Sequence, residues 1–281
     1  VVGYYPSWNK STLPHTAVLY QNLTHIVYAF LIPAADGSIS VPAGFLYPEL
    51  NMAAHQKGVK AVISLGGWGQ SDGFSPMAAD TGARHKFVEN ITTFCTTNNY
   101  DGVDIDWEYP KTAADKANLA ALIHELRLAF SNANPAFSIS MAVPSTNWSG
   151  QWFDVAAMKN DFDWMGIMTY DFYGSWTTKS GPNSALYGNF SINPEGWIDY
   201  SVAYYSGTRG IPMSKLLIGT PFYGWMFTAS SMYGASTGAS QLTYSSIAPK
   251  LQQGWVRSWD AEGPVPYIIN AAKTQVISYD Y

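Results

Sequence analysis

The sequence predicts an α/β fold built on a parallel sheet, and three observations predict it. Short apolar, β-branched runs recur at a spacing of roughly 35 residues, the length of a strand–helix unit. The stretches between them carry apolar side chains at helical spacing. The runs are also near-continuously apolar, as strands covered on both faces are. Seven strands are expected on this basis, at 1–5, 24–30, 59–65, 102–107, 137–143, 164–170 and 216–222.

The helical expectation is clearest over 114–129, where Leu119, Leu122, Ile123 and Leu126, with Phe130 beyond, fall on one face. Residues 84–97 place Phe87, Ile91, Phe94 and Cys95 in the same way. Pro135 follows the first of these helices and ends it. Two closures satisfy an alternating β and α chain, an open doubly wound sheet and a barrel. No Gly-X-Gly-X-X-Gly marks a strand-to-helix turn, which lowers the nucleotide-binding reading. No linker or low-complexity stretch appears, so one domain, 1–281, is expected. Trp68, Glu108, Tyr170, Asp171 and Tyr223 all come just after strand ends. In a barrel those ends share the face where catalytic groups gather.

Composition narrows the ligand. Hydrophobic residues make up 47% of the 281 and charged residues 12%, enough to bury a sizeable core without long disordered tails. The net charge is −5, with no Lys/Arg cluster. That argues against nucleic acid or an anionic membrane and for a neutral substrate. Aromatics reach 15%, with 11 Trp and 19 Tyr. Flat rings suit the C–H faces of sugars, although core packing explains any single Trp equally well. The lone cysteine, Cys95, rules out an internal disulfide and reads as core. The five His are scattered and form no ligand pair, so no metal and no cofactor are expected. No apolar run reaches transmembrane length. The chain opens directly on Val1-Val2-Gly3-Tyr4-Tyr5, and a secreted, monomeric protein whose leader has been removed is expected.

The strongest chemical signal is Asp104, Asp106 and Glu108, spaced by two. Strand side chains alternate, so all three point to one face. Val103, Ile105 and Trp107 fill the other face, which marks a buried strand and makes Trp107 a core residue facing the helices. Three carboxylates on one straight strand splay over roughly 13 Å, at about 3.3 Å per residue, too far to converge on one ion. Crowded like charges raise at least one pKa. A proton shared among them would keep Glu108 protonated near neutral pH, as a general acid must be.

The segment Asp101-Gly-Val-Asp104-Ile-Asp106-Trp-Glu108 resembles the DxxDxDxE signature of family 18 glycoside hydrolases, and its Trp-Glu-Tyr-Pro ending resembles the chitinase branch. Other segments match in order: Val2-Gly-Tyr4-Tyr-Pro-Ser-Trp8, Ile26-Val-Tyr-Ala-Phe30, Ser64-Leu-Gly66-Gly67-Trp68, Met168-Thr-Tyr170-Asp171-Phe-Tyr-Gly-Ser-Trp176 and Pro221-Phe-Tyr223-Gly. The resemblance implies a TIM (β/α)8 barrel that hydrolyses chitin and chitooligosaccharides by substrate-assisted catalysis. In that chemistry the sugar's own acetamido oxygen attacks the anomeric carbon, an exception to the two-carboxylate rule. Glu108 would be the acid and base, Asp106 would orient the acetamide, and Asp104 would share a proton with Asp106. Asp101 would be structural, as would the Gly66-Gly67 turn. Tyr170 would donate to the acetamido oxygen and Asp171 would contact sugar or amide. The two are adjacent and cannot both point inward on a regular strand, so a bend is expected there. Tyr4 and Ser64 would tune the Asp104 proton. Phe30 would contact substrate, and Met141 and Met168 would floor the substrate site, with plain core as the other reading of the two methionines. Trp68, Trp176 and Tyr223 would stack on sugars.

The chain also departs from the family pattern. Trp225-Met226 stand where many relatives carry Arg after the Tyr-Gly pair, so stacking in place of a hydrogen bond is expected. Residues 226–269 resemble a short α+β insertion. Relatives continue into an eighth strand bearing a Trp at the floor of the site. The last βα unit is therefore expected to be missing from 1–281, leaving this stretch poorly active by itself. A sugar-binding lectin and an endo-β-N-acetylglucosaminidase are the alternative functions, and Trp107-Glu108-Tyr109-Pro110 favours chitin over N-glycan.

Overall fold

A computed structural model describes residues 1–194 and 196–280. Tyr281, where the expected domain ends, lies outside them. The chain divides into two compact units, Val1–Val143 with Ser149–Met165, and Pro144–Trp148 with Gly166–Tyr281.

The first unit is the strand–helix alternation that the apolar runs foretell. Its strands are β1 (Val2–Pro6), β2 (His25–Pro33), a two-residue β3 (Ile39–Ser40), β4 (Lys60–Gly66), β5 (Gly102–Asp106) and β6 (Ser138–Pro144). β1, β2, β4, β5 and β6 lie side by side in that order, all parallel. β3 folds back antiparallel on β2. β4, β5 and β6 are buried almost throughout, which is why their sequences are apolar without alternation. β2 slips register between Tyr28 and Leu31. Such a bulge re-aims the side chain it carries, here Phe30, whose peptide bond to Ala29 is cis.

Four helices follow these strands: α1 (Pro48–Gln56), α2 (Phe74–Ala79), α3 (Thr81–Thr97) and α4 (Ala113–Ala133). Asp80 caps α3 by accepting the Ala83 N–H at 2.8 Å. Thr112 caps α4 by accepting the Asp115 N–H at 3.0 Å. Each cap satisfies one of the amides that a helix start leaves without an intrahelical partner. The expected faces are the buried ones, Leu119, Leu122, Ile123, Leu126 and Phe130 in α4, and Phe87, Ile91 and Cys95 in α3, whereas Phe94, expected on the same face, is only half-buried. Trp107 is buried and stacks on Phe74 of α2, ring centroids 5.3 Å apart, as its place opposite the acids requires.

β7 (Trp164–Met168) begins in the first unit and ends in the second, which continues with β8 (Leu216–Ile218). Both strands stop short of the sequence expectation. β7 ends two residues before Tyr170 because the backbone turns into the left-handed region at Asp171, φ 58°. The bend expected between Tyr170 and Asp171 is this turn. β8 ends at Ile218 because Gly219-Thr220-Pro221 follows, and proline offers no N–H to a ladder. The rest of the second unit is an antiparallel sheet in the order β10-β9-β13-β12-β11. Its strands are β9 (Tyr223–Phe227), β10 (Ala239–Thr243), β11 (Val256–Asp260), β12 (Val265–Ile269) and β13 (Val276–Tyr279).

The first unit's stability rests on the buried helix faces. Leu122→Ala should destabilise the chain by about 2–5 kcal/mol in urea denaturation. Leu128→Ala, at an exposed position of the same helix, should change it by no more than about 0.5 kcal/mol.

Candidate active site

The register of three neighbouring strands builds the acidic centre. Asp104 of β5 pairs with Ser64 of β4 on one side and Ser140 of β6 on the other. Residues in one row of a parallel sheet point the same way, so both hydroxyls reach the carboxylate. Ser64 Oγ donates to Asp104 Oδ2 at 2.7 Å and Ser140 Oγ to Oδ1 at 2.7 Å. The Tyr4 hydroxyl adds a third donor to Oδ2 at 2.9 Å. Asp104 has no exposed surface. Burial raises its pKa, and the three hydroxyls oppose that rise.

Asp106, two residues on, is buried without equal help. Its Oδ1 has no hydrogen-bond partner among the described residues. Its pKa lies well above the usual carboxylate range, first through burial, then through the charges of Glu108 and Asp104. Asp104, with three donors, is the better-satisfied anion. Burial and the neighbouring charges therefore press Asp106 toward its neutral form more strongly than Asp104.

The strand itself ends at Asp106, and Glu108 follows in a short connection, half-buried. Its position is set by the backbone. The Glu108 N–H donates to Ser71 Oγ at 3.0 Å, and Ser71 Oγ in turn lies 3.1 Å from both Gly67 O and Asp106 O. The Glu108–Tyr109 peptide is cis. Gly66 and Gly67 make the approach possible. Gly66 sits at φ 100°, and a Cβ there would meet Asp106 O at 2.3 Å. Gly67, at φ 83°, lies against the Phe30 ring, and its N–H bonds Asp106 O at 2.8 Å. Trp68 comes next, 77% exposed. Phe30 is half-buried, 6.4 Å from Trp8 between ring centroids.

Asp101 stands apart from this centre. It accepts the Ala61 N–H at 2.7 Å and lies 2.7 Å from His55 Nε2, joining β4 to α1. Met141 is fully buried in β6.

The second unit gathers the remaining candidates. Met168 ends β7, half-buried. Tyr170 meets Tyr223 edge to face, centroids 6.1 Å apart. The Asp171 N–H bonds Asn183 Oδ1 at 3.0 Å, which holds the left-handed turn. Its carboxyl accepts the Trp225 indole N–H at 2.8 Å and is raised in pKa by burial, against donors from Trp225 and Tyr223. Trp176 is 57% exposed. Trp225 is 8% exposed, so it presents no open stacking face and makes a hydrogen bond instead. Among the described residues no cluster of three or more His, Cys, Asp or Glu is placed to hold a metal, and no helix is long and apolar enough to cross a membrane.

Sequence reasoning reached Tyr4 and Ser64 but not Ser140, Ser71 or Asn183. A lone serine or asparagine carries no periodic signal. Only strand register and loop closure bring these three to the acids and to Asp171.

The trio makes a prediction about pH. Asp106 holds its proton more tightly in the folded chain than in the unfolded one. Stability from this group is therefore present at low pH and is lost as pH rises from the ordinary value toward the raised one. Asp106→Asn removes the ionisation. Its melting temperature relative to wild type should climb as pH rises from the ordinary carboxylate value of about 4 toward the raised one; a constant difference would contradict the burial penalty.

A sequence profile described as Glycosyl hydrolases family 18 matches residues 1–281. The chain is similar to a probable endochitinase of Caenorhabditis elegans, 32% identical over 293 residues that span 92% of this chain and 47% of that protein. It is similar to Chitinase A1 of Niallia circulans, 31% identical over 372 residues that span 100% and 52%. The chain thus covers about half the length of these relatives. Among solved structures it resembles the Group IV chitinase of Ostrinia furnacalis in complex with allosamidin, with a TM-score of 0.86 and 26% identity over 100% of this chain and 85% of that one. It also resembles a chitinase of Cycas revoluta in complex with (GlcNAc)3, with a TM-score of 0.90 and 24% identity over 100% and 87%. The fold expected from the sequence, a TIM barrel, is the one the chain shares with these structures.

Proposed function

The chain belongs to glycosyl hydrolases family 18, and on that footing we propose that it hydrolyses β-1,4 bonds between N-acetylglucosamine units of chitin, with Glu108 as proton donor. The observation that carries the reading is the unequal supply of hydrogen-bond donors to two buried acids. Asp104 is saturated with donors, and Asp106 keeps a buried oxygen without a partner next to Glu108. A buried acceptor left open in this way matches an acetamide N–H arriving with substrate.

The reaction then runs in two steps. The substrate's acetamido oxygen forms a bond to the anomeric carbon. The bond to the leaving oxygen breaks, and that oxygen takes the proton of Glu108. Asp106 accepts the acetamide N–H and stabilises the positive charge of the cyclic oxazolinium ion. Water next gives a proton to the Glu108 carboxylate, its oxygen bonds to the anomeric carbon, and the ring opens with net retention. No second protein nucleophile takes part. Asp104 exchanges a proton with Asp106, so that Asp106 is ionised when the positive charge develops and Glu108 discharges its own proton. Trp68 offers an exposed face to a sugar ring. In the second unit Tyr170, Asp171 and Trp176 are the groups read as receiving sugar. The relatives' names carry the substrate, and several of them are called chitinases or endochitinases.

Release of chromophore from a chitobioside tests the proposal. Glu108→Gln should lower kcat by about 100-fold or more while chitooligosaccharide binding survives. An analogue without the acetamido carbonyl should not be cleaved. Retained hydrolysis by the variant, or by wild type on that analogue, overturns the mechanism. Cleavage of a high-mannose glycopeptide in place of the chitobioside would reassign the substrate, and binding without any cleavage would make the chain a lectin.

A further inference from the structure

We infer that Trp225 is a positioning residue: its buried indole N–H locks the Asp171 carboxyl in place and ties it to the exposed ring of Trp176. The inference rests on the reading of Asp171 as a sugar contact and adds the device that aims it.

Asp171 needs such a device. It sits at φ 58°, a backbone region that a non-glycine residue enters at some cost and holds only when its surroundings impose it. The surroundings here are specific. Asn183, fully buried, accepts the Asp171 N–H through Oδ1 at 3.0 Å and donates through Nδ2 to Tyr223 O at 3.1 Å. Its own N–H is held by Ser278 Oγ of β13 at 2.7 Å, and its carbonyl accepts the Phe172 N–H at 3.2 Å. One amide side chain thus ties the Asp171 turn to β9, and its backbone is fastened to the neighbouring strand.

The carboxyl is held from the same strand. Tyr223 and Trp225 are two apart on β9, so their side chains share a face. Both donate to Asp171, Trp225 through Nε1 to Oδ1 at 2.8 Å. Trp225 cannot swing away. β9 is paired on both sides, with Gln241 of β10 and Ser278 of β13 opposite Trp225. It belongs to one buried apolar cluster with Phe172, Tyr173, Phe227 and Ala229.

The same indole meets Trp176 edge to face, centroids 5.3 Å apart at 85°. Trp176 curls back over Gly174, where a Cβ would lie 2.4 Å from its ring, so the platform's place depends on that close approach as well. Trp225 therefore spans a carboxylate and an exposed aromatic ring, the pair of groups that a hexose engages through its hydroxyls and its C–H face. It touches both and is itself covered. Its part is to set the spacing between them.

The test separates the N–H from the ring. Trp225→Phe, and Trp225 replaced by β-(3-benzothienyl)alanine, which keeps the bicyclic shape and lacks the donor, are compared with wild type on chitotetraose. Both should raise KM roughly tenfold, the order expected when a charged acceptor loses a buried donor, with kcat changed less than about threefold. In an Asp171→Gly background, where the left-handed backbone is free of strain and the acceptor is gone, the benzothienyl replacement, which keeps the ring against Trp176, should have no further effect on KM. The carboxyl of Asp171, followed by carbon NMR, should titrate higher in both replacements than in wild type, because the donor favours its charged form. Equal penalties with and without Asp171, or an unmoved titration, would overturn the clamp. If wild type turns over no chitooligosaccharide, the functional reading fails, and the titration still decides whether Trp225 holds Asp171.

Discussion

Two carboxylates buried on one strand set the terms for everything around them. A buried charge is tolerated only when donors or a proton compensate it. Asp104 has the donors, from Tyr4, Ser64 and Ser140, and Asp106, with fewer, is pressed toward its neutral form. The difference between them is a matter of neighbours, because both belong to the same five-residue strand and both are cut off from water. The strand can carry them only because β4 and β6 present small hydroxyl side chains in the same row. Larger apolar residues at Ser64 and Ser140 would fill the space and leave Asp104 without compensation.

That arrangement suits the chemistry proposed for the chain. A general acid must hold a proton at working pH and release it on demand. Glu108 sits at the end of a chain of acids whose total charge the interior resists. Its placement relies on ordinary backbone contacts through Ser71 and on two glycines that let β4 come against β5. The second unit solves a similar problem by different means. There the carboxyl of Asp171 is held by aromatic donors, and its unusual backbone by an amide.

Much of this was legible in the chain. The parallel strands follow from apolar runs, and the helices from spacings of three and four. The three acids follow from alternation, which also assigned Trp107 to the core side. The turn between Tyr170 and Asp171 was required because adjacent strand residues face opposite ways. The lengths of β7 and β8 were overestimated, since local apolarity continues past the residues where a left-handed turn or a proline ends pairing. Trp225 was read as a replacement stacking face, and its burial makes it a donor instead.

The sequence by itself determined the alternation of strands and helices, the identity of the acids and the face they share. Those properties depend on residues near one another in the chain, where strand and helix periods act. Tertiary contacts set which acid is better supplied with donors, which indole is exposed and which is buried on Asp171, and which serines and asparagine reach the acids. The reason is that desolvation and hydrogen-bond satisfaction are set by neighbours far away in sequence. Ser140 is 36 residues from Asp104, and Trp225 is 54 from Asp171.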